Sequence, residues 1–149
     1  MIFAIETAAL QTFDGAFADE LFLVARILFG GVIAFIGLNH FLNLEEMAGY
    51  AEYKGAPAPT LSVGASGVVL VLGGLAVALG AFPTLAAGAL AGFLVVATPM
   101  MHDFWAVPED QRQDELNSFL KNVGLLGMTV LLLAVSTVEW PYAVGVGLV

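Results

Sequence analysis

Four long apolar runs constrain this chain more than any other feature. Residues 21–42 carry Arg26, Asn39 and His40 as their strongly polar members, and residues 61–82 carry no charge. Residues 85–101 are uncharged and run on into His102, while 123–138 are uncharged and extend back to a semi-polar start at Leu116. A helix needs about 20 mostly apolar residues to cross a bilayer, with a range of about 17–25. Each run reaches that length with its flanks. Only helices and closed barrels satisfy every backbone polar group in lipid, and the two-residue alternation of a barrel strand is absent. The expectation is an all-α, integral membrane four-helix bundle forming a single transmembrane domain over 1–149, with spans at about 20–42, 60–82, 83–105 and 116–138.

The connections support helices. In "GAFP" at 80–83, glycine is a helix stop and proline suits the first turn of the next helix. So short a link makes the second and third spans antiparallel. Small residues line them: Gly73, Gly74, Ala78 and Gly80 on one, and the G-x-x-x-G pair Gly88 and Gly92 on the other, which permits close backbone approach. In "NLEEMAGYAEYKGAPAP", Asn43 is placed to cap a short helix with Glu46 completing a capping box, and Gly55 to end it. Met47, Tyr50, Ala51 and Lys54 share one face of that helix, as expected for an amphipathic helix at the membrane interface. A second amphipathic interfacial segment is expected over 1–18; it lacks the basic start of a cleaved signal peptide. "VPEDQRQDE" fits a helix start with Pro108 in its first position, so the fourth helix begins before the membrane. Residues 139–149 read as an interfacial tail, with Trp140 and Tyr142 in the aromatic belt.

Composition removes several function classes. The absence of cysteine excludes disulfides, thiolate metal sites and dithiol chemistry carried by this chain. Four Lys and Arg against thirteen Asp and Glu argue against a nucleic-acid partner. At molar salt the Debye length is about 3 Å and such an acidic excess no longer repels itself, which suits a halophilic source. Neither a nucleophile–base pair nor a phosphate loop is evident, so the reading leans away from an enzyme. Lys54, Arg112 and Lys121 fall on the side opposite both termini, and the positive-inside rule then puts the termini outside.

Ionisable residues inside membrane helices are functional candidates. Topology brings Asn39, His40, His102, Asp103, Asn117, Lys121 and Asn122 to one mouth of the bundle. Asp103 opposes the dipole at its helix end and needs a partner, with Lys121 first and His40 second. His102 and Asp103 are adjacent on a helix and so face different targets. At the other end, Arg26 either snorkels to the headgroups or ties the first span to the fourth through Glu139. The candidate sites are therefore a quinone or other ligand at His40, His102, Trp105, Asn39 and Tyr50, and a polar clasp of Asp103, Lys121, Asn122, Arg26 and Glu139. Haem between the two histidines is a weaker alternative, and no closely spaced ligand pair marks a metal site.

"GLNHFLNLEEMAGYAEYKGAPAP", "LVLGGLAVALG", "MMHDFWA" and "FLKNVGLLG" resemble, in order and spacing, the DoxX family of small four-helix membrane proteins, from about residue 21 to 138. In that family Arg26, the Asn39-His40 end, "HDFW" at 102–105 and the Lys121-Asn122 start have counterparts. Some members carry a glutamate before the Gly-Gly of the second span; "VVLVLGG" lacks it, so a role built on that acid does not carry over. The resemblance implies a non-catalytic accessory subunit of a quinone-linked redox or respiratory system. The expected partners are the bilayer, other redox-complex subunits and possible further copies of itself. The alternative is a lipid-binding or scaffolding bundle with no redox role.

Overall fold

A computed structural model describes residues 13–147, so most of the expected N-terminal amphipathic segment lies outside the described residues. Among the described residues the chain is all helical. The order is α1 (Ala18–Leu42), α2 (Leu44–Tyr53), α3 (Pro59–Leu79), α4 (Pro83–Met101) and α5 (Glu109–Ala134). All but α2 are long and apolar enough to cross a membrane. Prolines at the first helical positions of α3 and α4 place their missing N–H where no intrahelical bond is due. Pro108 is instead the residue before α5, which starts at Glu109 with Glu109 and Asp110 in its first turn. Asn43 stands at the start of α2 but does not cap it. Its amide nitrogen donates to Asn39 Oδ1 at 2.7 Å, so the expected capping box is not formed.

The closest helix pair is α1 with α3, not the α3–α4 hairpin. A Cβ on Gly30 would lie 2.3 Å from Gly74 O, one on Gly74 2.5 Å from Ala34 N, and one on Gly37 2.6 Å from Val71 N. Gly30 and Gly37, and Gly67 and Gly74, are seven residues apart, about two helical turns. Each helix thus presents two glycines on one face, and the backbones touch there. Across the hairpin, Gly73 accommodates the side chain of Leu90. Gly88 and Gly92 meet nothing within 4 Å, so the G-x-x-x-G pair is not a helix contact as expected; it borders open space. The core runs through Ile33, Leu70, Val77, Leu90 and Leu132, joining all four spans.

α4 stops at Met101 because His102 leaves helical geometry at φ −124°. Residues 102–105, expected as the end of the third span, therefore lie in the turn beyond it. At the opposite end, the tail after α5 folds back over the α3–α4 turn, with Phe82 N donating to Val146 O at 2.7 Å and Val144 N to Leu79 O at 3.0 Å. Trp140 is not a belt residue: it is 4 % exposed, packs edge-on against Phe22 and donates through Nε1 to Val135 O. Tyr142 is exposed and donates to Glu20 at 3.3 Å.

Candidate functional site

Two polar features meet at the end where α1, α4 and the start of α5 converge. The first is a closed network. Tyr50 on α2 and Lys54, the residue just past its end, reach the α4–α5 connection. The Lys54 ammonium pairs with Asp103 and lies 3.6 Å from Glu115 Oε1. Tyr50 donates its hydroxyl proton to Glu115 Oε1 at 2.7 Å, with Met101 O at 3.1 Å sharing it. The other carboxylate oxygen of Glu115 accepts from His102 Nδ1 at 2.9 Å. The Lys54 side chain is only 4 % exposed, so its charge depends on these partners.

The electrostatics follow from this geometry. The hydrogen bond from Lys54 holds the Asp103 carboxyl below its ordinary range. Burial works against the Lys54 ammonium, but the bond to Asp103, with Tyr50 and Glu115 alongside, more than offsets it and raises that group. Burial, then the bond to Glu115, pushes the Tyr50 phenol up. The network spends its donors and acceptors on itself and ties α2 to α5 across the turn.

This arrangement differs from the expected clasp. Asp103 pairs with Lys54; Lys121 is exposed and makes no ion pair among the described residues. Asn122 is half-buried on α5 and Asn117 accepts from Gln113, so neither joins the network. His102 and Asp103 do serve one cluster, because both lie past the helix end and the 100° helical step no longer separates them. Trp105 is 56 % exposed and stacks edge-on with Phe104 and Phe119. Lys54 and Glu115 were missed as site residues. The half-buried and buried stripe Glu115, Ser118, Asn122, Leu125, Thr129 and Leu132 steps by three and four along α5, and tracing it backward from the core reaches Glu115, not Lys121.

The second feature is a groove of about 1170 Å³ between α3 and α4, roofed by α2 and closed at its polar end by the last turn of α1. Asn39, His40, Asn43, Glu46, Tyr50, Ser62 and Ser66 supply its polar lining. Val69, Ala89, Gly92, Phe93 and Val96 line the apolar remainder. His40 is 9 % exposed, and its Nδ1 lies 2.9 Å from Ile36 O. A carbonyl only accepts, so Nδ1 carries the proton, and Nε2 is the acceptor in the neutral ring. Tyr50 belongs to both features: it lines the groove and its hydroxyl anchors the network. Of the five ligand candidates, Asn39, His40 and Tyr50 border the groove; His102 and Trp105 do not.

Arg26, at the other end, is fully buried. It donates through Nη2 to Pro141 O at 2.7 Å and lies between the rings of Phe22 and Trp140, 5.3 and 5.4 Å from their centroids. Its Nε and Nη1 have no partner among the described residues. Glu139 is exposed and does not bond it, so the tie to the end of the fourth span runs through a backbone carbonyl and two aromatic faces. Gly80, at φ +69°, makes room for it: a Cβ there would stand 2.4 Å from Arg26 Nη1.

Comparison with curated proteins and with solved structures returned no match. The DoxX family model matches residues 21–103, which take in most of α1, all of α2 to α4, Lys54, His102 and Asp103. With four spanning helices and a match over more than half of its length, the chain is a multi-pass membrane protein that belongs to the DoxX family.

Proposed function

We propose that this chain is a non-catalytic membrane subunit of a redox system that holds a quinone in the α3–α4 groove. The carrying observation is the groove's polarity: hydrogen-bonding groups gather at the end bordered by Asn39, His40 and Tyr50, and the rest is apolar. That distribution suits a ring with polar oxygens on a hydrocarbon tail. Asn39 keeps an amide N–H₂ to offer an oxygen, because Asn43 occupies its Oδ1. His40 Nε2 offers a lone pair, and Phe93 a ring face. The bound group would supply the electron chemistry; the chain's own residues orient its head and shield it from water. With no cysteine for dithiol chemistry, electron exchange falls to a partner subunit. The positive-inside rule puts the Lys54, Arg112 and Lys121 end in the cytoplasm.

Gly92→Leu is the test variant, since a Cβ at Gly92 meets nothing within 4 Å and the added side chain fills the groove without a backbone clash. Protein purified in native lipid is extracted and its quinone quantified. Wild type carries quinone and the variant does not, at equal thermal stability. Quinone absent from wild type refutes the reading. Phospholipid extracted in its place supports the lipid-binding alternative.

A further inference from the structure

The hydrogen-bonding groups at the groove's polar end are unequal in kind. His40 spends its Nδ1 proton on Ile36 O. Tyr50 spends its only proton on Glu115, and Ser62 donates its hydroxyl to Pro57 O. Glu46, an exposed carboxylate, has no proton to give. The polar atoms both sealed from solvent and lacking partners belong to Arg26 and Thr98. Among the described residues His40 Nε2 therefore has neither a partner nor a seal. Three groove-lining groups thus meet an occupant with lone pairs: His40 Nε2, Ser62 Oγ and the Glu46 carboxylate; the Tyr50 oxygen faces the Lys54 ammonium. The donors left over are chiefly the Asn39 amide and the Ser66 hydroxyl, which make no bond as donors.

We infer that the groove selects a head group that donates hydrogen bonds, and so binds the reduced, hydroxyl-bearing form of a quinone couple in preference to the oxidised form. This rests on the groove being the quinone site. A quinone offers only carbonyl acceptors, which leave the lone pairs of His40 and Ser62 unmatched. A quinol offers two O–H donors to those same atoms. One such bond gained and one lone-pair clash avoided corresponds to about a tenfold preference. The residues that set this preference are the ones whose own protons are committed within the protein, and His40 is the central one because it is buried and its ring is fixed by Ile36 O.

The experiment uses the full chain in phosphatidylcholine nanodiscs with three probes of matched bulk: a decyl-substituted benzoquinone, its dithionite-reduced quinol, and the dimethyl ether of that quinol. Titration calorimetry gives the three affinities. The quinol binds about tenfold tighter than the quinone, and the ether binds no better than the quinone. A redox titration of the bound couple gives an independent reading: tenfold selectivity raises its midpoint by about 30 mV over the free couple. His40→Phe keeps the ring and removes the lone pair, and Ser62→Ala removes a second acceptor at a site with little structural burden. Each lowers the ratio of quinol to quinone affinity toward one. Equal affinity for both redox forms, tighter binding of the quinone, or an ether that matches the quinol overturns the selectivity and leaves quinone binding standing. Binding of none of the probes overturns the proposed function, and the selectivity falls with it.

Discussion

Gly30→Ala tests whether backbone contact holds α1 to α3. The new Cβ would stand 2.3 Å from Gly74 O, 2.7 Å from Ala78 N and 3.0 Å from Ala78 Cβ. The first two are main-chain atoms of a helix and have no rotamer to swing into. A relaxed carbon–oxygen contact is about 3.3–3.6 Å, so the helices must part locally by about 1 Å. A gap of about 0.5–1 Å forfeits roughly a quarter to a half of each dispersion contact beside it. Those contacts include the neighbouring approaches of Gly37 to Val71 and Gly74 to Ala34. Overpacking of this kind costs about 1–3 kcal/mol. The better helix preference of alanine returns about 1 kcal/mol. The net expectation is a loss of about 0–2 kcal/mol. Gly31→Ala is the internal control, one residue along the same helix, where a Cβ meets nothing within 4 Å. It keeps only the helix gain and is neutral or up to about 1 kcal/mol more stable. Reversible unfolding in mixed micelles, read by far-ultraviolet circular dichroism against SDS mole fraction, separates the two. Midpoints that shift together, or a Gly30→Ala variant no less stable than Gly31→Ala, refute the close-approach account.

The network makes a pH prediction with a defined sign. The Asp103 carboxyl is depressed in the fold, so its contribution is present above its ordinary value of about 3.9 and is lost as pH falls through its folded value. The Lys54 ammonium is raised, so its contribution is complete below about 10.4 and is lost as pH rises through its folded value. Thermal stability against pH is therefore flat between those limits with respect to this pair, and Asp103→Asn lowers the plateau and flattens the acid limb; an unchanged acid limb would count against the pairing. Arg26→Met, which keeps bulk and removes a charge with a single hydrogen bond, is expected within about 1 kcal/mol of wild type, whereas Arg26→Lys, which cannot keep both the aromatic stack and the reach to Pro141 O, loses about 1–3 kcal/mol. A large loss in Arg26→Met under chemical denaturation would reveal a second anchor for the guanidinium. Tyr50→Phe removes the bond to Glu115 and is expected to cost about 1–3 kcal/mol of melting stability, and an unshifted melting curve would show that α2 is held by packing alone.

The spans were legible because lipid imposes length and apolarity on every one of them, and Gly80, Pro59 and Pro83 mark ends that backbone chemistry enforces. The glycine interface was legible in kind but assigned to the wrong pair. The short 80–83 link fixes which helices are adjacent in the chain, not which approach most closely, and only a register over two helices sets Gly30 against Gly74. The polar end was harder. Reasoning from helical angles placed His102 and Asp103 on different targets, and that logic ends where the helix ends. Lys54 was read on its own helix face, whereas its destination depends on how α2 folds back beneath the α4–α5 turn. Trp140 looked like a belt residue because its burial comes from Phe22 and Arg26, more than a hundred positions away.

That separation has a consequence for biosynthesis. The carbonyl that accepts from Arg26 belongs to Pro141, 115 residues later in the chain. At about 5–20 residues per second, α1 enters the membrane several seconds before this acceptor exists. During that interval an arginine in the first third of the helix is opposed by less than the roughly 2.5–3.5 kcal/mol that insertion scales give at a helix centre. The most apolar 18-residue stretch of α1 has a mean hydropathy of 2.4, the highest such stretch of the four spans, which lets it tolerate the charge while synthesis continues. The bond between Arg26 and Pro141 thus forms late, with the bonds that tie the same tail to Leu79 and Phe82, and it registers that the C-terminal tail has reached its place.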